Sequence, residues 1–310
     1  MIFFSKKPYQ LYSYCPLTVI SVTGEDAFTF LQGQFTNELR HPPGSAVDGL
    51  WLNQKGKVVA DSVVLRRGEN EFLLLSTTSV AAILIQRLEQ YIIADDVTLL
   101  DETDQAAGLA LWGEGCGEVL KNVLGFAPEH GRFLQQQGLL IFPGRRTKQE
   151  NYEIIGSESA LIEWRKKFVA QGGIEVGADA AEFARISAGI PAVPQDIGPS
   201  DLPNEAGLET TAISFTKGCY LGQEVMARLK NLGQVRRQLR GVHGTGPVPK
   251  SGSFIYQGEK KAGEIRSAIS TDEGFIALAM LTRLGLDENR GFSFEPSDDP
   301  KLAKTTVWMS

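Results

Sequence analysis

The chain has 310 residues, of which 42% are hydrophobic and 22% charged, a composition typical of a globular protein and not of a disordered one. This length is enough for two or three domains with their own cores. The net charge of -6 disfavours direct binding to nucleic acid, because affinity for phosphates comes from lysine and arginine. No stretch approaches the ~20 apolar residues of a membrane span, and the first residues lack the order of a secretory signal. The sequence therefore predicts a cytoplasmic protein.

Cysteine and histidine usage argues against a metal site and against disulfides. The chain has three cysteines and three histidines, scattered along its length, and no CxxC pair. A stable metal site needs clustered thiolates or imidazoles, so we expect no bound metal. An odd number of cysteines cannot all pair, and a chain of this length does not need disulfides for its stability. The three cysteines are Cys15, Cys116 and Cys219.

The first hundred residues are predicted to mix helices with antiparallel strands. Apolar residues at helical spacing predict a helix over residues 23–39, in which Thr23 and Asp26 would form a capping box. A second helix would follow a threonine cap at residue 77 or 78 and run to about Ile93. Between the helices, turn residues separate three strands of a predicted β-meander, at residues 50–53, 58–67 and 71–76.

The rest of the chain continues the α+β pattern and ends in strands. Helices are predicted near residues 118–123, over 158–170 and over 178–188. Residues 190–211 carry four prolines, too many for a regular element, and form either a functional loop or a linker. Beyond about residue 234, five short strands predict a small C-terminal β-barrel, at residues 235–242, 253–257, 263–268, 275–281 and 306–309.

Residues 217–224, Lys-Gly-Cys-Tyr-Leu-Gly-Gln-Glu, form the most informative segment of the sequence. Glycines on both sides of Cys219 let the backbone come close to a ligand, and the nearby cation of Lys217 would favour a thiolate. Gln223 and Glu224 supply hydrogen-bonding groups suited to a heterocycle with several N–H donors. The segment therefore predicts a reactive thiol, and a small buried structural cysteine is the alternative.

This segment resembles the KGC(F/Y)xGQE motif of the YgfZ family, which are folate-binding proteins that support iron–sulfur enzymes, including tRNA-modifying ones. Further blocks resemble that family in the same order along the chain. They are FLQGQFTN at residues 30–37, LNQKGK at 52–57, RISAGIP at 185–191 and LPNEAGL at 202–208. The matching blocks span roughly residues 20–240, and the C-terminal part matches more loosely through residues 263–267.

The resemblance implies the three-lobed α+β fold of the glycine-cleavage T-protein, with a central channel and a small C-terminal β-barrel. It implies that residues 1–233 form a folate-binding region of two interleaved lobes, divided near residues 95–105, and that residues 234–310 form the barrel. The implied cofactor is tetrahydrofolate or a C1-substituted folate. The implied partners are iron–sulfur client proteins, which the sequence does not name.

The resemblance also assigns site residues. Cys219, Asp61 and Lys217 are the candidates for chemistry at the site. The candidates for the folate pocket are Asn37, Asp61, Arg185, Tyr220, Gln223, Glu224 and Arg228. Two of them keep an ordinary alternative, because Asp61 could be an exposed carboxylate at a strand end and Arg185 could pair with a structural carboxylate.

The T-protein itself, an aminomethyltransferase that passes a methylene group to tetrahydrofolate, is the second interpretation. Its family has an acidic pair where this chain has Ala60 and Asp61. Its pterin-binding glutamate lies in a GYTGEDGFE motif, and this chain has Gln149 at the matching position. Both departures argue against T-protein catalysis. They also leave the pterin contact open, because either Glu150 or Glu153 could replace the missing glutamate, or the pocket could bind folate differently. A third interpretation is a non-catalytic interaction module, so whether the protein is an enzyme stays open.

A basic tract follows the cysteine segment in this acidic chain. Its cations could bind the glutamate tail of folate, because arginine grips carboxylates in a bidentate manner. They could instead contact RNA, or form an ordinary solvated surface with ion pairs. The members of the tract are Arg228, Lys230, Arg236, Arg237 and Arg240.

Overall fold

The strands follow the chain in an order that builds three β-sheets. A computed structural model of the chain describes residues 9–233, 235–287, 291–296 and 305–307. The first ten strands are β1 (Gln10–Tyr14), β2 (Thr18–Thr23), β3 (Ser45–Leu52), β4 (Val58–Arg66), β5 (Glu71–Ser76), β6 (Thr98–Asp101), β7 (Ala107–Trp112), β8 (Leu134–Gln136), β9 (Leu139–Pro143) and β10 (Asn151–Gly156). The later ones are β11 (Ile174–Glu175), β12 (Arg237–Gly244), β13 (Phe254–Gln257), β14 (Lys260–Thr271), β15 (Gly274–Thr282) and β16 (Thr305–Val307).

Helices lie on the first two sheets and between the sheets. The α-helices of the described residues are α1 (Ala27–Gln34), α2 (Ala81–Glu89), α3 (Cys116–Leu124), α4 (Glu158–Ala170), α5 (Ala178–Ser187) and α6 (Gln223–Leu232). Short 3-10 helices occupy Thr103–Gln105, Pro203–Ala206 and Leu208–Thr210. No helix in the described ranges is long and apolar enough to cross a membrane.

The three sheets are largely antiparallel. The N-terminal sheet has the strand order β3-β4-β5-β2-β6, and the middle sheet has the order β11-β1-β7-β10-β9-β8. In the middle sheet β1 pairs in parallel with β11 and antiparallel with β7. Since β1 precedes the whole N-terminal sheet along the chain, the two sheets interleave in sequence. The helices α1 and α2 cover the core of the N-terminal sheet, and α3 and α4 cover that of the middle sheet.

The first predicted helix is wrong at both ends. Thr23 is the last residue of β2, where it pairs with Glu71 of β5. After α1 ends, Phe35 takes an extended conformation and its buried ring lies 4.9 Å from that of Trp51. Strand pairing and aromatic packing therefore outweigh the helical spacing that extends from residue 23 to Leu39.

The side-chain caps predicted for α1 and α2 are also wrong. Asp26 precedes α1, but its carboxylate accepts a hydrogen bond at 2.8 Å from the backbone N–H of Asp96, not from the helix. The hydroxyl of Thr78 donates to Asp61 at 3.1 Å, and α2 begins later and ends before Ile93. By contrast, β5 and α4 have the bounds that the sequence predicts.

The C-terminal sheet has the strand order β13-β14-β15-β12-β16. Each of the five predicted strands is present with shifted bounds. In the described part of the chain β13 and β16 lie at opposite edges of this sheet and do not pair, so the predicted barrel is not confirmed. Trp308 and Met309 of the last predicted strand lie outside the described residues. So do Gln234, at the predicted domain boundary, and residues 1–8, where a secretory signal was not expected. The division of the chain into 1–233 and 234–310 stays a prediction.

The proline-rich segment is irregular, as predicted, but it is part of the core. Val193 and Ile197 are buried. They pack with Leu50 of the N-terminal sheet and with Met280 of the C-terminal sheet. A linker would leave its side chains exposed, whereas this segment packs between the N-terminal and C-terminal sheets.

Candidate functional site

A cavity of about 570 Å³ is lined by residues of the N-terminal sheet, the middle sheet and the proline-rich segment. Its volume lies within the range of ~300–1,000 Å³ that is typical of small-molecule sites. Apolar side chains form much of its wall, among them Leu50, Val63, Leu75, Phe142, Ile155 and Val193. Two buried carboxylates, one from each sheet, interrupt this apolar lining.

The first carboxylate is Asp61 of β4, which is only 7% exposed. Its Oδ1 atom accepts hydrogen bonds from the hydroxyls of Ser76 at 2.8 Å, Thr78 at 3.1 Å and Ser79 at 2.6 Å. Its Oδ2 atom accepts a hydrogen bond at 2.9 Å from the guanidinium of Arg145. Asp61 is therefore a buried carboxylate in the cavity wall, with hydrogen bonds from protein donors to both oxygens, and not an exposed carboxylate at a strand end.

Arg145 joins Asp61 to a second acidic residue. Its Nε atom lies 2.9 Å from Oδ1 of Asp48, which is on β3 next to β4. Burial raises the pKa of Asp48, and the positive charge of Arg145 opposes that rise. Two neighbouring carboxylates thus share one cation at this end of the cavity.

The second carboxylate is Glu153 of β10, which is 4% exposed. Its Oε2 atom accepts a hydrogen bond at 2.6 Å from the hydroxyl of Tyr14, and its Oε1 atom one at 2.7 Å from Arg146. The Arg146 guanidinium lies 4.3 Å from the centre of the Tyr14 ring, which stacks on Tyr12 with centroids 5.8 Å apart. Burial, and then the charge of Glu153, raises the pKa of Tyr14 well above its usual value, so Tyr14 is a neutral hydrogen-bond donor.

Glu150, the other candidate for the missing carboxylate, has a different task. Its Oε2 atom accepts a hydrogen bond at 3.2 Å from the backbone N–H of Gly117, in the first turn of α3. Its Oε1 atom accepts one at 3.0 Å from the hydroxyl of Tyr152. A carboxylate at a helix N-terminus is favourable for the helix. Of the two candidates only Glu153 lines the cavity, and Gln149 does not.

Arg185 also lines the cavity, but its guanidinium is occupied by the protein. Nη1 donates to Asp196 at 2.6 Å and to the carbonyl of Ile190 at 2.7 Å. Nη2 donates to the Ser267 hydroxyl at 3.0 Å, and Glu182 completes the set through two ion-pair contacts. The structure thus gives Arg185 the structural carboxylate partner that the sequence left as an alternative.

The segment around Cys219 lies elsewhere. The side chain of Cys219 is exposed, and none of residues 217–224 lines the cavity. The structure therefore divides the predicted site into two groups. Asp61 and Arg185 face the cavity, whereas the members of the second group do not line it: Asn37, Lys217, Cys219, Tyr220, Gln223, Glu224 and Arg228.

Lys217 holds the end of a helix. It is 5% exposed, and its Nζ atom donates hydrogen bonds of 2.7–2.8 Å to the carbonyls of Gln32, Phe35 and Asn37. These carbonyls lie in and just after the last turn of α1, where backbone acceptors lack helical partners. Burial lowers the pKa of Lys217 to about 8. Its protons are directed at the backbone of α1, so the predicted pairing with the thiolate of Cys219 has no support in these contacts.

The other residues of this group have structural or surface positions. The amide of Asn37 donates to the carbonyls of Asp48 at 2.8 Å and Thr211 at 3.2 Å. Tyr220 is buried, and burial raises its pKa to about 12, while its hydroxyl has no hydrogen-bond partner among the described residues. Gln223 is the first residue of α6. On that helix Glu224 and Arg228 are exposed to solvent.

The basic tract is divided as well. Arg237 lies 3.0 Å from carboxylate oxygens of both Asp201 and Glu205, and Asp201 also pairs with Arg266 at 3.1 Å. Arg237 thus ties the proline-rich segment to the C-terminal sheet. Arg228, Lys230 and Arg236 are exposed, Arg240 is half-buried, and none of the tract lines the cavity.

Residues 10–217 match the family described as GCVT N-terminal domain. The tRNA-modifying protein YgfZ of Edwardsiella ictaluri is 30% identical over 257 residues, which cover 78% of this chain and 76% of that protein. This chain belongs to the YgfZ family of GCVT-domain proteins. A putative chloroplastic transferase of Arabidopsis thaliana is 28% identical over 80% of this chain, and the chain spans only 59% of that protein's length.

The fold of this YgfZ-family chain has a solved relative. The glycine cleavage system aminomethyltransferase T of Bartonella henselae superposes with a TM-score of 0.77 at 19% identity, covering 90% of this chain and 79% of that one. The predicted α+β, T-protein-like fold is thereby confirmed. The sequence also missed four cavity residues that the fold brings together, namely Tyr12, Tyr14, Arg145 and Arg146.

Proposed function

We propose that this YgfZ-family protein binds tetrahydrofolate, or a C1-substituted folate, in the cavity between its N-terminal and middle sheets. We further propose that it is a cytoplasmic accessory factor for iron–sulfur enzymes, including those that modify tRNA. The observation that carries the proposal is the pair of buried carboxylates, Asp61 and Glu153, which face one mostly apolar cavity from two different sheets.

The residues of the cavity fit the chemistry of a folate. A pterin ring presents several N–H donors on a flat apolar body, and a carboxylate can accept about four hydrogen bonds. Glu153 accepts three from Tyr14 and Arg146, so it has capacity left for a ligand donor. The stacked rings of Tyr12 and Tyr14 offer an aromatic surface beside it. A bound folate would supply a C1 carrier, and these side chains would bind and orient it.

The same contacts argue against T-protein catalysis, which would need a carboxylate able to take a proton from the attacking amine. Asp61 already accepts hydrogen bonds from three hydroxyls and from Arg145, so its lone pairs are largely occupied. The neighbouring Ala60 supplies no second carboxylate and is fully buried. Aminomethyl transfer is the alternative function, and the fold shared with an aminomethyltransferase is what favours it.

The accessory role rests on two observations. Relatives that cover most of this chain are named tRNA-modifying proteins. The exposed thiol of Cys219 does not line the cavity, so a partner protein can reach it while the cavity holds a ligand. The third interpretation, a purely non-catalytic interaction module, would need neither the carboxylates nor the thiol.

Calorimetric titration of the anaerobically purified chain with tetrahydrofolate tests the proposal. Asp61→Asn keeps an oxygen for the three hydroxyl donors and removes the charge. We expect the affinity of this variant for tetrahydrofolate to fall by about tenfold or more, because it loses the charged hydrogen bond that holds Arg145 in the cavity wall. The matched control is Asp104→Asn, at an exposed residue that does not line the cavity.

The outcomes separate the candidate functions. Saturable binding that Asp61→Asn weakens and Asp104→Asn preserves supports the folate site. Absence of saturable binding to the wild-type chain contradicts it. Turnover of an aminomethyl donor in the presence of tetrahydrofolate would favour the transferase. Full complementation of a deletion strain by Cys219→Ala would favour the interaction module.

A further inference from the structure

Carboxylates outnumber cations where Arg145 and Arg146 line the cavity. Arg145 pairs with both Asp48 and Asp61 at 2.9 Å, and Arg146 pairs with Glu153 at 2.7 Å. Two arginines and three carboxylates leave one negative charge in excess when all of them are ionised. Burial raises the pKa of Asp48, and with Asp48 protonated the group is neutral. In neither state does this part of the wall present a net positive charge to a ligand.

The third arginine of the cavity wall is balanced in the same way. Arg185 pairs with the fully buried Asp196 at 2.6 Å and also with Glu182, which lines the cavity. Asp179, exposed in the first turn of α5, adds a further carboxylate to the lining. Among the described residues the wall contains no lysine and only the three arginines named here and above. The cavity therefore offers no cation that lacks a carboxylate partner.

A second groove adjoins the cavity and is also acidic. Its volume is about 1250 Å³, residues of α5 line both spaces, and Asp179 is common to the two linings. The groove is further lined by Lys148, Asp272 and Glu273, so three carboxylates accompany one lysine. None of the basic tract lines either space. A ligand group that leaves the cavity past Asp179 therefore meets negative charge as well.

We propose that the cavity recognises the reduced pterin ring and not the glutamate tail, so that its ligand class is tetrahydropterins with or without that tail. The inference rests on the proposed folate site and narrows what that site recognises. The tail of tetrahydrofolate ends in two carboxylates, which proteins hold mainly through guanidinium or ammonium groups. Since each arginine of the described wall already has a carboxylate partner, the tail gains no ion pair there and is repelled by the excess negative charge.

The ring, by contrast, finds suitable groups in the cavity. Glu153 accepts three of the roughly four hydrogen bonds that a carboxylate can take, which leaves a position for an N–H donor of the ring. Leu50, Leu75 and Val193 offer apolar contacts to a flat heterocycle. These contacts do not depend on what is attached to the ring, so the ring should account for most of the binding free energy.

Anaerobic calorimetric titration of the full chain with two ligands tests the inference. Tetrahydrofolate carries the tail, whereas tetrahydrobiopterin carries the same reduced ring with a short uncharged side chain. Tetrahydrofolate should bind no more than about fivefold more tightly than tetrahydrobiopterin. Its affinity should stay constant or rise between about 0.05 and 0.3 M salt, because salt screens the repulsion of the tail. A larger preference for tetrahydrofolate, or an affinity for it that falls with salt, would overturn the inference.

Arginine variants show whether the tail contacts the wall. Arg145→Gln and Arg146→Gln should each weaken both ligands by the same factor to within about twofold, because these arginines hold Asp61 and Glu153 and not the tail. Arg165→Gln, at an exposed arginine that lines neither space, is the matched control and should change neither affinity. Selective loss of tetrahydrofolate binding in either cavity variant would place the tail on that arginine and overturn the inference.

The same titrations distinguish failure of this inference from failure of the proposed function. If tetrahydrofolate binds, and Glu153→Gln weakens it, while tetrahydrobiopterin does not bind, the folate site stands and the inference is wrong. If tetrahydrobiopterin alone binds, recognition of the ring is supported and tetrahydrofolate is not the ligand. If neither ligand shows saturable binding to the wild-type chain, both proposals are contradicted.

Discussion

The three cysteines lie in different surroundings, and their reactivity should differ accordingly. Cys116 is fully buried at the start of α3, its thiol donates to the carbonyl of Glu150 at 3.2 Å, and burial raises its pKa to about 12. Cys15 and Cys219 are exposed. We expect iodoacetamide to modify Cys15 and Cys219 in the folded chain at about pH 8, and Cys116 only after unfolding, since the thiolate is the reacting form. Mass spectrometry of time points decides this, and modification of Cys116 at the rate of the other two would contradict the structure.

Part of the candidate site can be read from residues, and part cannot. The motif blocks point to Asp61 and Arg185, and both residues line the cavity. They do not reveal that the guanidinium of Arg185 forms an ion pair with Asp196. The tandem Arg145 and Arg146 carries no motif, and the carboxylates that Arg145 contacts, Asp48 and Asp61, come from strands about a hundred residues earlier in the chain. The sequence also gives no sign that Lys217 donates to backbone carbonyls, because these acceptors lie about 180 residues earlier in the chain. Its neighbour Cys219 suggests instead a partner for the thiol.

At the scale of elements, Lys217 links the cysteine segment to α1. Lys217→Met keeps the approximate length of the side chain but leaves three buried or part-buried backbone carbonyls without this donor. We expect it to lower the free energy of unfolding by about 2–4 kcal/mol, because unsatisfied buried polar groups cost ~1–3 kcal/mol each and the loop can relax in part. Urea unfolding measures the change. Lys55→Met, at an exposed lysine, is the control and should have little effect.

The stability loss caused by Lys217→Met should depend on pH, and its direction follows from the pKa of Lys217. The pKa of Lys217 is lowered by burial from 10.5 to about 8 in the folded chain. Between these two pH values the unfolded chain binds more protons, so the contribution of Lys217 to the free energy of unfolding rises with pH. The deficit of Lys217→Met relative to the wild-type chain should therefore be larger near pH 10 than near pH 7. A deficit that stays constant or shrinks would contradict the burial of this ammonium.

Strand alternation explains both a success and a miss of sequence reasoning. Side chains on β10 alternate between faces, so Glu153 and Ile155 share the face that lines the cavity. The motif comparison could not choose between Glu150 and Glu153, because the glycines that would fix the alignment are absent. The element β1 was missed altogether, since its single short run of alternating residues pairs with β7, about a hundred residues later.

At the scale of the whole molecule, a buried polar network ties the C-terminal sheet to the cavity wall. Asp196 is fully buried and receives the guanidinium of Arg185 at 2.6 Å and the hydroxyl of Ser267 on β14 at 2.5 Å. Asp196→Ala should lower the free energy of unfolding by about 3–5 kcal/mol, because it leaves a buried cation short of a partner. Ser267→Ala removes only a neutral partner and should cost less. Chemical denaturation compares them, and an equal, small effect of both would contradict the network.

The domain arrangement shows where local sequence patterns stop being informative. The pattern predicts all five C-terminal strands, because each has its own alternation and turn residues. Whether such strands close into a barrel depends on pairing between the two edge strands, here β13 and β16, which no local pattern encodes. The T-protein-like fold was predictable only because several motif blocks occur in one order, and the family match over residues 10–217 agrees with them.

The measurement that tests the central claim most directly compares two glutamates three positions apart. Glu153 lines the cavity, whereas Glu150 caps α3. In calorimetric titrations with tetrahydrofolate, Glu153→Gln should weaken binding by about tenfold or more, and Glu150→Gln should leave the affinity within about twofold. If Glu150→Gln weakens binding and Glu153→Gln does not, or if neither changes it, the folate does not occupy the cavity proposed here.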